Sequence, residues 1–282
     1  MSNIKFKNIR IIAWKFFLYL LMSLGTIIFT LPFLWMLSTS LKPSNQVFIY
    51  PIQWIPKPFV WRNYIDAWRS APFGIYYLNT VIITVLTVLG TVLSSILSAY
   101  GFARLRFKGR DTLFLLILSA MMLPNQVTII PQFLMFKFLG WLNTFLPLTV
   151  PAFFGPPFYI FLLRQYMLTL PTELDDAAFI DGCSKFQVLI LILLPLLKPA
   201  VFTMTILTFL ASWNEFFSPL IYLSEMKKYT VTLGLTLFRG EFVTYWNWLM
   251  AASVVAILPC LLIFMLFQRY FIQGIALTGL KG

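Results

Sequence analysis

Residues 171–199 read PTELDDAAFIDGCSKFQVLILILLPLLKP, a stretch that begins polar and is flanked by strongly apolar chain. Thr172 followed three residues later by Asp175 is a capping-box pattern, so a short helix is predicted to start there. Gly182 takes a left-handed backbone at little cost, which suits the end of that helix. Ser184 and Gln187 repeat the start pattern and predict a second helix that returns toward apolar chain at Pro195. Leu174, Ala177, Ala178 and Asp181 follow i, i+3, i+4, i+7 spacing and so share one face of the first helix. Small alanines let that face enter a groove, while Glu173, Asp175 and Asp176 favour the helix N-terminus electrostatically. A helix, a glycine bend and a second helix make a docking element rather than a tether.

The rest of the chain is built for lipid. Hydrophobic residues make up 60% of it and charged residues 11%, against about 25% charged in soluble domains. About 20 apolar residues in a helix cross a bilayer core of about 30 Å. Charge-free runs at 16–41, 70–103, 112–136, 138–163 and 242–268 all meet that length. A sixth crossing is expected over 197–218, with Lys198 at the membrane edge. The expected fold class is therefore all-α, a polytopic membrane protein with six transmembrane helices, both termini on one side and a helix-turn-helix coupling loop. A terminus-side count of twelve basic residues against eight opposite favours a cytoplasmic N-terminus, and the GFARLRFKGRD turn at 101–111 contributes most. The basic N-terminal region leads into an apolar run with no small-residue cleavage site, so an uncleaved first helix is expected.

Several function classes are excluded by what the chain lacks. It has no histidine, so Ser-His or Cys-His nucleophiles and imidazole metal sites are absent. No G-x-x-x-x-G-K-[ST] phosphate loop is present. The net charge of +12 is scattered through short loops beside apolar helices, where anionic lipid heads can meet it. No basic face with interleaved aromatics exists for nucleic acid. Cys183 and Cys260 fall in the insert and in the last helix, which rules out a disulfide framework. Glu215 stands alone as an intramembrane acid, expected near the outer interface, since a carboxylate at a helix centre costs about 2.5–3.5 kcal/mol. With neither an ATP fold nor an ion relay, the driving energy must come from elsewhere.

Asp176-Ala177-Ala178, three residues, Gly182, nine residues, Ile192 and then Leu194-Pro195 resemble the "EAA" loop of ATP-binding-cassette importer permeases. Asp176 stands where that family usually has Glu, which keeps the charge and shortens the reach. Ile180–Gly182 and Leu194–Ala200 resemble the carbohydrate, maltose-transporter-like branch, as do WRNYIDAW at 61–68 and the C-terminal QRYFIQGIALTGLKG. The resemblance implies a non-catalytic permease subunit of a binding-protein-dependent importer, most simply for a sugar or oligosaccharide. It implies an ATPase-coupling set of Glu173, Asp175, Asp176, Ala177, Ala178, Asp181, Gly182 and Pro195. It further implies a nucleotide-binding ATPase dimer holding ATP and Mg, a second permease subunit and an extracytoplasmic solute-binding protein. No cofactor or metal is expected on this chain. The setting it implies is the inner membrane of a prokaryote, multi-pass, with both termini and the coupling loop cytoplasmic.

One permease domain over 1–282 is expected. The first helix and an external segment occupy 1–70, the core helices 71–268, the coupling loop 171–199 and a tail 269–282. In the external part, prolines at 43, 51, 56 and 58 argue for extended chain, and WRNYIDAWRS for a short surface helix. Gly90, Ser94 and Ser98 form a small-residue face that allows close backbone approach, inside the chain or to another subunit. Candidate substrate-path residues are Asn79, Asn125, Gln126, Gln132, Trp213, Asn214 and Glu215, because amides and aromatic faces suit neutral sugars. The same amides can instead join helices by hydrogen bonds. A permease for glycerol phosphate, polyamine or peptide, a secondary transporter or channel, and a membrane enzyme remain as alternatives.

Overall fold

The computed structural model describes residues 2–240 and 244–279, with side chains described for 12, 14–124, 126–240 and 244–268. Among the described residues the architecture is helical, apart from an isolated bridge between Arg239 and Thr244. In lipid a chain must satisfy its own backbone N–H and C=O groups, which is why the apolar runs wind into helices despite many β-branched residues. The helices are α1 (Ser2–Ser40), α2 (Arg62–Ser70), α3 (Phe73–Arg104), α4 (Arg110–Ala120), α5 (Asn125–Phe138), α6 (Leu146–Thr149) and α7 (Pro157–Leu168). They continue as α8 (Glu173–Ile180), α9 (Lys185–Gln187), α10 (Leu194–Leu196), α11 (Lys198–Trp213), α12 (Phe217–Tyr222), α13 (Val231–Leu235) and α14 (Trp246–Gly279).

Among the described residues, four spans are long and apolar enough to cross a bilayer: Trp14–Ser40, Phe73–Arg104, Leu146–Leu168 and Trp246–Gln268. Lys185–Leu196 and Lys198–Trp213 would make a fifth if taken together, but they meet at 79°. The expected count of six is not reached by this measure. The expected crossing at 112–136 is broken between Ala120 and Asn125, leaving helices of 11 and 14 residues. Pro124 causes the break: it has an extended backbone (ψ 139°), and its ring disfavours helical geometry at Leu123. Likewise the crossing expected at 197–218 is helical only over Lys198–Trp213, before a turn and the short α12.

The chain divides into two compact units. One comprises Met1–Ala71 with Leu237–Val255, the other Pro72–Thr236 with Ala256–Gly282. In the first, Asn63 is the knot. Its amide donates to the carbonyls of Ser40 (2.9 Å) and Lys42 (2.8 Å) and accepts from Asn247 (3.0 Å). Lys42 is buried with its ammonium 4.1 Å from the Trp35 ring centre, and burial pushes its pKa down. α2 forms where the sequence predicts a short helix, while the proline-rich segment expected to be extended begins with a 3-10 turn at Ser44–Gln46 and is irregular beyond it.

In the second unit α3 is the central post. Its small-residue face packs within the chain, against the tight turn at 150–155. Ser94 Oγ donates to the Ala152 carbonyl at 3.0 Å. A Cβ on Gly90 would sit 2.6 Å from the Phe153 ring. The apolar core lies toward the C-terminal end of α3, where Ile96, Ala99, Tyr100 and Ala103 meet Leu163 and Met167 of α7. Ala178, Val188, Leu189, Leu193 and Leu197 complete it, so the 171–199 insert is folded into the core. Each large aliphatic hidden there stabilises that union by about 1.5–3 kcal/mol. Gly90→Leu must drive Phe153 out of place, a cost of about 1–3 kcal/mol. Thermal unfolding in detergent should show a lower midpoint, and an unchanged midpoint would disprove the close packing.

Candidate functional site

The insert leaves α7 at Leu168 and begins α8 at Glu173. Thr172 does not cap that helix: its backbone is helical (φ −73°, ψ −20°) and its side chain makes no capping bond. Asp175, the expected partner in that capping box, is drawn the other way. Its Oδ2 lies 2.8 Å from Nε of Arg104, the last residue of α3, with the two side chains 10% and 5% exposed. With Arg104 buried, leaving its charge unpaired would cost about 3–5 kcal/mol, more than a solvent-exposed cap contributes, about 0.5–2 kcal/mol. Burial pushes the Asp175 carboxyl pKa up, Arg104 pulls it down, and Asp176 adds to the rise.

The end of α8 follows the sequence expectation closely. Gly182 adopts φ +85°. Its N–H donates to Phe179 (3.1 Å) and that of Cys183 to Ala178 (2.9 Å), the paired bonds of a Schellman ending. Ser184 and Gln187 then form the full reciprocal capping box, with Ser184 N–H donating to Gln187 Oε1 at 2.7 Å. Beyond it the chain winds as a π-helix over Val188–Leu193. This wider turn brings the buried Val188 and Leu193 to the same side, and Leu194 N–H reaches back to the Leu189 carbonyl just before Pro195, which has no N–H to give.

The predicted docking face is divided by this packing. Asp175 and Ala178 turn inward, Ala178 into the chain's own core. Glu173, Leu174, Asp176, Ala177, Asp181 and Gly182 remain exposed, as does Pro195 further on. Phe179 (43% exposed), Ile180 (86%) and Phe186 (61%) add an apolar tip that the sequence reading left out. Two further bonds hold the insert: Arg104 Nη2 donates to the Leu170 carbonyl (2.9 Å), and Tyr100 hydroxyl to the Lys185 carbonyl (2.8 Å).

Among the described side chains, the expected substrate-path residues have separate surroundings. Asn79 is buried and donates to the carbonyls of Lys227 and Tyr229, pinning the 223–230 turn. Trp213 is buried, donating from Nε1 to the Ala256 carbonyl and stacking on Phe209. Asn214 donates to Leu210 of its own helix. Gln126 and Gln132 are exposed, and the Asn125 side chain lies outside the described residues, as do those of the tail from 269. Glu215 accepts from the N–H groups of Phe217 and Ser218 and also lines a cavity of about 300 Å³. Around it stand Thr80, Thr87, Thr91, Thr208, Ser212 and Tyr159. Thr208 Oγ1 is buried there without a hydrogen-bond partner. The signal was present in the sequence: Thr80, Thr84, Thr87 and Thr91 recur at helical spacing, concealed within an apolar run.

At Gly182 a Cβ would meet open space, so the cost of Gly182→Val is backbone strain, about 1–2 kcal/mol. Hydrogen exchange over 179–187 should accelerate, with exchange in α3 unchanged. Unchanged protection of that segment would refute the glycine's role as the bend.

Residues 90–277 match the family described as "Binding-protein-dependent transport system inner membrane component". A probable ABC transporter permease protein, YurM of Bacillus subtilis, is 36% identical over 276 residues, covering 96% of this chain and 88% of the relative. The arabinooligosaccharides transport system permease AraQ of the same organism is 34% identical, covering 99% and 98%. The trehalose/maltose transport system permease MalG of Thermococcus litoralis is 35% identical, covering 92% and 94%. The fold matches a crystal structure of a bacterial ABC transporter that imports alginate, with a TM-score of 0.81 at 23% identity over 90% of this chain and 94% of that one. On sequence and fold together, the chain belongs to the family of inner-membrane components of binding-protein-dependent transport systems.

Proposed function

We propose that this chain is a permease subunit of an ATP-driven importer for a sugar or oligosaccharide, with hydrolysis carried out by a separate ATPase dimer. The observation that carries the reading is the insert. Its inner side is sealed into the core by Ala178, Val188, Leu189 and Leu193, while Leu174, Phe179, Ile180 and Phe186 stand exposed at its tip. Exposed apolar side chains on a rigid, acidic-ended helix suit insertion into a partner's groove. ATP and Mg belong on that partner. A second permease subunit would complete the path, and an extracytoplasmic binding protein would deliver the solute. The basic bias favours a cytoplasmic position for both termini, and with them the insert.

The substrate class draws support from two directions. Two of the relatives named above are permeases for arabinooligosaccharides and for trehalose or maltose. The cavity has a mainly apolar lining into which threonine and serine residues and the aromatic Tyr159 are set, and a few polar groups among apolar and aromatic ones suit a sugar ligand. Closure of the ATPase dimer would draw the paired inserts together and rock the helices, switching the cavity from one side of the membrane to the other.

Affinity purification of the tagged chain from membranes of its own host should recover an ATPase subunit carrying a phosphate loop, together with a second permease. Ile180→Glu places a charge at the apolar tip and should lower the recovered ATPase about tenfold while leaving membrane insertion intact. Cells lacking the chain should lose uptake of labelled arabinotriose or maltotriose and retain that of glycerol 3-phosphate. The chain purifying alone, or supporting flux alone in liposomes, would overturn the reading.

A further inference from the structure

Arg104 and Asp175 form an under-satisfied pair. Nε and Oδ2 approach to 2.8 Å, yet Arg104 Nε and Asp175 Oδ1 both lack an aligned hydrogen-bond partner. Buried pairs of this kind add little stability over apolar side chains of the same size, because desolvation cancels the attraction. What such a pair does supply is a single geometry. Here that geometry ties α8 to the last residue of α3. Around the same helix end, Arg104 Nη2 holds Leu170 on the approach to α8, and Tyr100 holds Lys185 at the start of the second arm. The three contacts grip the insert before, within and after its docking helix.

The other part of the same helix faces the cavity. α3 runs without proline from Phe73 to Arg104, about 48 Å at 1.5 Å per residue. Its Thr80, Ile83, Thr87 and Thr91 line the cavity of about 300 Å³. One continuous rod therefore carries the grip on the insert and a wall of the solute cavity. We infer that Arg104, paired with Asp175, is a positioning residue that locks the insert to α3, so that displacement of the insert reshapes the cavity that α3 lines.

The inference rests on the coupling reading above and deepens it, and the test separates the two. Ala211, an exposed cavity-lining residue, is changed to Cys in a chain whose Cys183 and Cys260 are Ser. Its reaction with a charged methanethiosulfonate reagent is followed in host membrane vesicles, with and without ATP plus vanadate and the cell's extracytoplasmic proteins. With Arg104 and Asp175 intact, trapping should change the labelling rate about fivefold or more. The apolar pair R104M/D175L should assemble with the ATPase and melt no lower, yet show no nucleotide-dependent change. The charge swap R104D/D175R should restore at least part of it. A full labelling change in R104M/D175L overturns the inference and leaves the coupling reading standing. Loss of the ATPase from R104M/D175L reduces the pair to a structural role and also overturns it. Absence of an ATPase from the unaltered chain sinks both.

Discussion

The fold depends on a union between a cytosol-type insert and a membrane-type helix. Residues 171–199 carry the acids, glycine and capping side chains of a soluble helix-turn-helix. Their inner face is nevertheless built from the same aliphatic side chains that fill the end of α3. Val188, Leu193 and Leu197 are fully buried, and Ala178 is small enough for α8 to lie close against the bundle. A loop attached only at its two ends would absorb any force applied to it by bending. A helix pair whose inner surface is core can pass force on, because close-packed interiors have low compressibility and transmit strain.

Two devices make that union geometrically definite. The first is backbone chemistry: the left-handed Gly182, the Schellman ending and the Ser184–Gln187 box set the angle between the arms by local hydrogen bonds. The second is the π-turn at Val188–Leu193, which brings Val188 and Leu193 to a common face and delivers the chain to α11 through a 79° bend. An α-helix over the same residues would rotate one of those two side chains off the core. The extra residue per turn serves packing, and Pro195 limits how far regular hydrogen bonding extends.

A different logic governs the opposite part of the second unit. There amides and hydroxyls hold turns in place: Asn79 on Lys227 and Tyr229, Thr80 on Val231, and Asn143 on Ser224 and Glu225. Polar groups at such positions satisfy backbone atoms of non-helical segments that helices alone would leave unpaired. Asn79 and Trp213 entered the sequence reading as ligand-path residues, and their partners show them fastening chain to chain. The hydroxyl stripe at Thr80, Thr87 and Thr91 was passed over because threonines within an apolar helix read as ordinary lipid-span residues.

The sequence by itself determined that the chain is helical and membrane-spanning, and that 171–199 contains a helix, a bend at Gly182 and a capped second arm. Those features depend on local composition and on hydrogen bonds between residues a few positions apart, so one-dimensional order suffices to specify them. Only the tertiary structure decided which side of α8 faces inward and that Asp175 abandons its expected cap for Arg104, whereas the break of the 112–136 run at Pro124 is a local effect that the sequence already carried. The first two depend on which side chains meet across the bundle. A buried guanidinium left unpaired is costly, so its position decides where the nearby carboxylate turns, and that position is set by chain distant in sequence.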